Sequence, residues 1–111
     1  MMPDSRIPVR IASIADAGAT DALLVEGALP RTTLPCASFG LVQRGHVPAC
    51  TCCAPRSSAA MALAALFTGR ALARFEFFTG VVAVVTTKAG EAAVMAALQD
   101  DPVASARFRL V

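Results

Sequence analysis

The sequence of 111 residues has no tryptophan or tyrosine, and it has one lysine and one histidine. Although 56% of its residues are apolar, many are alanine, so a core must come from valine, leucine, isoleucine, methionine and six phenylalanines. A chain of this length buries roughly 65% of the surface that its unfolded form exposes. We therefore expect one domain with a thin core over residues 7–111, preceded by a disordered tail over residues 1–6.

Runs of like charge and long apolar runs are also missing. Nine arginines and one lysine stand singly against eight acids, so there is no basic stripe for a nucleic acid or a membrane surface. The weakly charged stretches 57–69 and 77–87 contain glycine and are shorter than the about 20 residues that a membrane-spanning helix needs. Residues 1–10 lack the apolar block of a signal peptide. We expect a cytoplasmic protein with no nucleic-acid or membrane partner.

Three of the four cysteines stand together as Cys50, Cys52 and Cys53. Thiolates suit Zn²⁺ or Cu(I), and a C-x-C-C run in a loop brings two or three sulfur atoms to one ion. Disulfides within the run would be strained, and a reducing cytosol keeps thiols free. The run therefore favours a metal site. The alternative is that these cysteines are small buried hydrophobic residues.

Strands are predicted near both ends of the chain and in its middle. Residues 8–14 are rich in β-branched side chains and lead into a loop at Gly18. The continuous apolar run 81–85 is typical of a strand buried on both faces, and we expect it at the centre of the sheet. Residues 107–111 alternate and form the last strand.

Helices are predicted in the second half. Ser57 or Ser58 can cap a helix that ends near Gly69. A second helix covers 90–99, and Asp101-Pro102 begins a short third one.

The region between the first strand and the cysteines is predicted to contain short elements. Asp21 is a cap for the segment 22–26, residues 31–38 read as polar and turn-like, and a short strand is expected around Leu41-Val42. The order of all these elements predicts an α/β fold with a small parallel or mixed sheet and flanking helices.

Three stretches together resemble the CobW family of metal-handling GTPases, a branch of the P-loop G proteins. Residues 11–27 look like the family's strand, Asn-Glu-Phe-Gly turn and Asp-x-x-Leu segment. Ala49-Cys50-Thr51-Cys52-Cys53 resembles the Gly-Cys-x-Cys-Cys metal motif, with Ala49 in place of glycine. Residues 77–111 are similar to the Gly-Val-Val-x-Val-Val-Asp-Ala strand, its helix and the Ala-Asp-x-x-Val-Leu strand. The resemblance implies a truncated P-loop G-domain that handles metal.

The family's nucleotide-binding parts are missing from this sequence. A Walker A loop needs G-x-x-x-x-G-K-[ST] to hold phosphates, whereas the single lysine, Lys88, precedes Ala89. Thr86 stands in place of the acid that closes the Val-Val-Asp strand. We therefore expect no nucleotide as cofactor and no GTP hydrolysis by the chain alone. The family's central N-terminal strand is also missing. We therefore expect a sheet edge with unpaired backbone groups that tends to associate, and that a partner or a second copy covers.

Zinc takes four ligands, of which the cysteine run supplies at most three. His46 is a candidate fourth ligand or a solvated bystander, and Cys36 is a further candidate or a buried thiol. The resemblance implies an acidic ligand near the Asn-Glu-Phe-Gly turn, where Asp16 is the nearest acid, although a turn-capping role is the alternative. The predicted metal ligands are Cys50, Cys52, Cys53, His46 and Asp16.

Three functions follow from these features. The leading hypothesis is a metal-binding protein of the metallochaperone class, which carries zinc or another thiophilic divalent ion to a client metalloprotein. The alternative is a non-catalytic interaction protein that associates with itself or with an intact CobW-type GTPase. A third hypothesis is a GTPase whose phosphate loop comes from a partner. No catalytic residue is assigned, because Glu26 and Glu91 have no paired carboxylate in the sequence.

Overall fold

The structure is a computed structural model that describes residues 5–40 and 57–111. Its elements are β1 (Ile7–Ile11), a 3₁₀ turn (Ile14–Asp16), β2 (Asp21–Glu26), β3 (Cys36–Phe39), α1 (Ser58–Ala71), β4 (Gly80–Val84), α2 (Lys88–Asp100), α3 (Pro102–Arg107) and β5 (Phe108–Leu110). The strands form one parallel sheet in the order β3-β2-β4-β1-β5. The predicted α/β class, with a small sheet and flanking helices, is confirmed.

Strand β4 lies at the centre of this sheet, as its continuous apolar run predicts. It pairs with β1 on one side, where Val81 is opposite Val9, and with β2 on the other, where Val81 is opposite Ala22. Four of its five residues are buried. The prediction of a central strand here is confirmed.

The two faces of the sheet are covered differently. On one face Val9, Leu24 and Val81 pack with the buried residues of all three α-helices. On the other face Leu23 and Val82, together with Val25, contact Ala12, Ala17 and Leu34, which belong to the connections after β1 and β2. Because successive residues of a strand point to opposite faces, helices cover one face and short connections cover the other.

Two of the three helices, α1 and α3, begin where the sequence predicts. Ser57 caps α1 by accepting a hydrogen bond from the Ala60 N–H, and Asp101 caps α3 by accepting one from the Ala104 N–H. Helix α2 starts slightly earlier than predicted, since Thr87 is its cap. The last strand is also confirmed as β5.

The segment after Asp21 differs from the prediction. Residues from Asp21 to Glu26 form β2, which is paired on both sides, so the expected capping role of Asp21 is wrong. The first five residues of β2 are buried, and an apolar run in such a position gains more from two strand neighbours than from a short helix. The region 31–38 is not wholly turn-like either, because β3 begins at Cys36.

No inner position of the sheet is vacant among the described strands. Strand β1 lies between β4 and β5, so the expectation of a missing central strand is wrong. The two edge strands are β3 and β5, and association at a sheet edge stays a prediction. The strand expected around Leu41-Val42 lies outside the described residues. Within the described ranges, the structure contains no helix with the length and apolar character needed to cross a membrane.

Candidate functional site

The carboxyl ends of β4 and its two neighbours, β1 and β2, form a switch point of the sheet. After β1 the chain turns onto the face that Ala12 and Ala17 cover, whereas after β4 it enters α2 on the opposite face. Neighbouring parallel strands whose connections leave to opposite faces open a crevice at their carboxyl ends, where α/β proteins bind ligands. This edge of the sheet is therefore the first place to look for a functional site.

Glu26, the last residue of β2, binds the start of α2 at this edge. Its carboxylate accepts hydrogen bonds from the backbone N–H of Thr86 at 2.7 Å, the N–H of Thr87 at 3.0 Å and the Thr87 hydroxyl at 2.7 Å. The Thr86 N–H and then the Thr87 hydroxyl are the main causes that lower the pKa of Glu26. Glu26 is therefore held as a carboxylate against the amino end of a helix.

This carboxylate lies beside the amino end of α2, where a helix offers free N–H groups to an anion, and it accepts from the two N–H groups that precede the helix. Exposed N–H groups and the helix dipole make such an end attractive to phosphates. Here Gly90, in the first turn, leaves the room that the carboxylate needs, since a Cβ at Gly90 would overlap the Glu26 Oε1 atom. The amino end of α2 is thus closed by the chain's own negative charge.

The junction between β3 and α1 brings together the two ends of the segment that contains the cysteine run. The Gly40 N–H donates a hydrogen bond to the Ser58 Oγ atom at 3.0 Å. Residues 41–56, which lie between, are outside the described residues, and they include the predicted ligands Cys50, Cys52, Cys53 and His46. The segment therefore leaves and returns at the carboxyl end of β3.

Two acids lie beside the point of return. A cavity of about 260 Å³ is lined by Ser57, Ala96, Ala97, Asp100 and Asp101. The Asp101 carboxylate already caps α3 by accepting from the Ala104 N–H at 2.8 Å, whereas the Asp100 side chain is exposed. An additional carboxylate ligand could come from this cavity, a source that the sequence did not indicate.

Asp16 and Cys36 occupy separate places. The Asp16 carboxylate accepts hydrogen bonds from the N–H and the hydroxyl of Ser13, at 3.3 Å and 3.0 Å. Strand β1, which leads to Asp16, is three strand spacings from β3, or about 14 Å. Cys36 is half-buried at the start of β3, and burial raises the pKa of its thiol. In the described part of the chain no three His, Cys, Asp or Glu side chains are grouped as metal ligands.

An ion pair fixes the connection between β1 and β2. Arg10 donates to the Asp21 Oδ2 atom at 2.9 Å and to the carbonyl of Asp16 at 2.8 Å, and the Gly18 N–H donates to the same Asp21 oxygen at 2.8 Å. Burial would raise the pKa of Asp21, but the Gly18 N–H and the Arg10 guanidinium outweigh it, so the pKa is lowered. The pair has a structural role, since it holds residues 12–20 against the sheet.

Sequence reasoning missed the contact of Glu26 with α2. Glu26 was considered only as a partner for a second carboxylate, whereas its partners are a backbone turn and Thr87, 61 residues away. The available signal was a single acid between an apolar run and Gly27, combined with the two threonines before a predicted helix.

Comparison with known proteins provides no assignment, since no protein-family model, no curated protein and no solved structure matches this chain.

Proposed function

We propose that this protein is a cytosolic metal-binding protein of the metallochaperone class, which holds a thiophilic divalent ion, preferably Zn²⁺, through Cys50, Cys52 and Cys53. Soft thiolates clustered within four residues are the ligands that zinc and similar ions prefer. A client metalloprotein would receive the ion. The resemblance to the CobW family supports this function through the same cysteine motif.

The observation that carries the proposal is the hydrogen bond between Gly40 and Ser58. It supports a metal site because it joins the two residues that flank the cysteine-bearing segment. Both lie at the carboxyl end of a parallel sheet, where α/β proteins bind ligands, and Ser58 begins α1. The amino end of a helix lowers the pKa of nearby thiols and so favours the thiolates that bind metal. The exposed Asp100 lines a cavity with Ser57, the first described residue after the cysteine segment, and is a further candidate oxygen ligand.

The Glu26 carboxylate supports metal binding without nucleotide turnover. It accepts hydrogen bonds from the N–H groups of Thr86 and Thr87, immediately before α2, and so places a negative charge at the helix end where a phosphate would bind. A nucleotide phosphate brought to this position would meet a carboxylate of like charge. The proposed activity is therefore to hold and transfer an ion, with GTP hydrolysis left to another protein.

Zinc stoichiometry tests this function. We expect about one zinc per chain, by elemental analysis of protein purified under reductant, and almost none in the triple variant Cys50→Ser/Cys52→Ser/Cys53→Ser. Cys36→Ser is the comparison variant, because it removes the thiol of the further candidate in β3 and leaves the cysteine run intact. We expect zinc to be retained in it, whereas a lowered zinc affinity would identify Cys36 as the fourth ligand.

The outcomes separate the ligand candidates. Absence of zinc from the wild-type protein, with none gained on incubation with zinc under reductant, would contradict the proposal. If zinc is bound, single variants His46→Ala, Asp16→Asn and Asp100→Asn identify the fourth ligand by the one that lowers zinc affinity. A client is then sought by zinc transfer from the loaded protein.

A further inference from the structure

The outer side of α1 is apolar although it faces solvent. Met61 and Leu72 are 56% and 57% exposed, and Ala65 and Thr68 lie between them on the same side of the helix. The opposite side is already buried against the sheet, through Leu63 and Leu66 among others. A helix that is apolar all round is normally covered on all sides. Among the residues that the structure describes, none covers the outer row 61, 65, 68 and 72, which we therefore treat as a contact surface.

A groove runs beside this row. The ring of Phe75 lies against Gly69, where an added Cβ would come within 2.4 Å of it, so only glycine permits this approach. The cavity is about 490 Å³ and is lined by Met61, Ala64, Ala65, Thr68, Gly69, Arg74 and Phe75. Four of the lining residues are small, namely Ala64, Ala65, Thr68 and Gly69. Small residues let the side chains of another helix approach closely.

The outer row has the same pattern in both directions. Its members are large, small, small and large, and they are separated by four, three and four residues. A two-fold axis between Ala65 and Thr68 would place Met61 of one copy opposite Leu72 of the second copy, and Ala65 opposite Thr68. Spacings of three and four residues are those of helices packed side by side, and small residues at the centre permit close approach. Self-complementarity of this kind is what a symmetric dimer requires.

The charges at the two ends of α1 agree with this pairing. Arg74 follows the carboxyl end of the helix, and Asp100 lies beside Ser57 at the amino end. In an antiparallel pair the carboxyl end of one α1 lies next to the amino end of the other. Arg74 of each copy then comes to the end that holds Asp100 of the second copy, so opposite charges meet on both sides of the axis.

We infer that the outer row of α1 is the interface of an antiparallel homodimer, with the second copy as its occupant. One helix pair buries less than the about 1,200 Å² of stable complexes, so the dimer is weak and depends on protein concentration. The interface shares Asp100 with the candidate metal ligands, so the dimer is tested with metal removed. The inference differs from association at a sheet edge, because the surface lies on the outer side of a helix.

Sedimentation velocity tests the dimer at protein concentrations from about 5 to about 500 μM. This range covers the dissociation constants expected of small interfaces. The buffer contains a chelator and a reductant, so that neither a bridging metal nor a disulfide contributes. We expect Met61→Glu and Thr68→Asp each to raise the dissociation constant at least about tenfold. Leu29→Glu is the matched control, since Leu29 is 57% exposed elsewhere on the surface, and it should leave the dimer unchanged.

A charge swap tests the orientation of the two copies. Arg74→Glu and Asp100→Lys should each weaken the dimer about fivefold, whereas the double variant should return to within about twofold of the wild type. Circular dichroism checks that every variant keeps its helices. A wild type that stays monomeric over the whole range, a dimer unaffected by both Met61→Glu and Thr68→Asp, or a double variant as weak as the single ones would each overturn the inference.

Discussion

Two acidic residues fix the connections at opposite ends of β2. Asp21 begins the strand and holds Arg10 and the Gly18 N–H, and Glu26 ends it and holds the start of α2. Each carboxylate approaches a glycine, Gly80 and Gly90 respectively, where a Cβ would stand too close. The strand therefore joins the β1 connection, the central strand and a helix through side chains as well as through its own backbone pairing.

The approach of Glu26 to Gly90 predicts that the effect of Gly90→Ala on the free energy of unfolding changes sign when Glu26 is removed. In an otherwise wild-type chain, Gly90→Ala should destabilise the protein, because the added methyl group displaces the carboxylate from Thr86 and Thr87. In a Glu26→Ala background the same change should stabilise it by about 0.5–1 kcal/mol, because alanine favours a helix more than glycine does. Urea unfolding of the four proteins measures the cycle. Equal effects of Gly90→Ala in both backgrounds would contradict the proposed contact.

At the scale of elements, local capping decides where the helices begin, whereas the strands are decided by their neighbours. The starts of α1 and α3 could be predicted because a cap is a short-range pattern, a polar residue followed by an apolar stretch. Strands β2 and β3 could not, since an apolar run without alternation is compatible with more than one structure. Their pairing with each other and with β4 decides the outcome.

Removing the cap of α1 should measure this local contribution. Ser57→Ala removes the acceptor for the Ala60 N–H, which lies 3.2 Å from Ser57 Oγ, and should lower the free energy of unfolding by about 1 kcal/mol. Ser38→Ala, at an exposed position of β3, is the control and should have a smaller effect. Chemical denaturation compares the two variants. A Ser57→Ala protein as stable as the control would mean that the cap contributes nothing measurable.

For the molecule as a whole, the carboxylates of Asp21 and Glu26 make the free energy of unfolding vary with pH in the acid range. The pKa values of Asp21 and Glu26 lie below their ordinary values of 3.8 and 4.5, so the folded state favours the charged forms. Their contribution is fully present above the pKa of the unfolded chain and is lost as the pH falls through the lower folded pKa. We expect a steady free energy of unfolding down to about pH 5, and a decrease below about pH 4.

Unfolding in urea at a series of pH values checks this expectation. The double variant Asp21→Asn/Glu26→Gln should be less stable at neutral pH and should lose less stability on acidification, because these two carboxylates no longer take up protons on unfolding. If the free energy of unfolding falls with pH as steeply in the variant as in the wild type, other acidic residues are responsible for the loss of stability in acid.

The sequence by itself determined the α/β class, the buried central run of β4 and the caps of α1 and α3, because each depends on spacing within a few residues. The metal ligands, among them Cys50, Cys52 and Cys53, stay a prediction. Only the tertiary structure decided the sheet order, the strand at Asp21–Glu26 and the contact of Glu26 with Thr87. These join residues distant in the chain, and burial of both faces of the sheet, rather than any local preference, selects them.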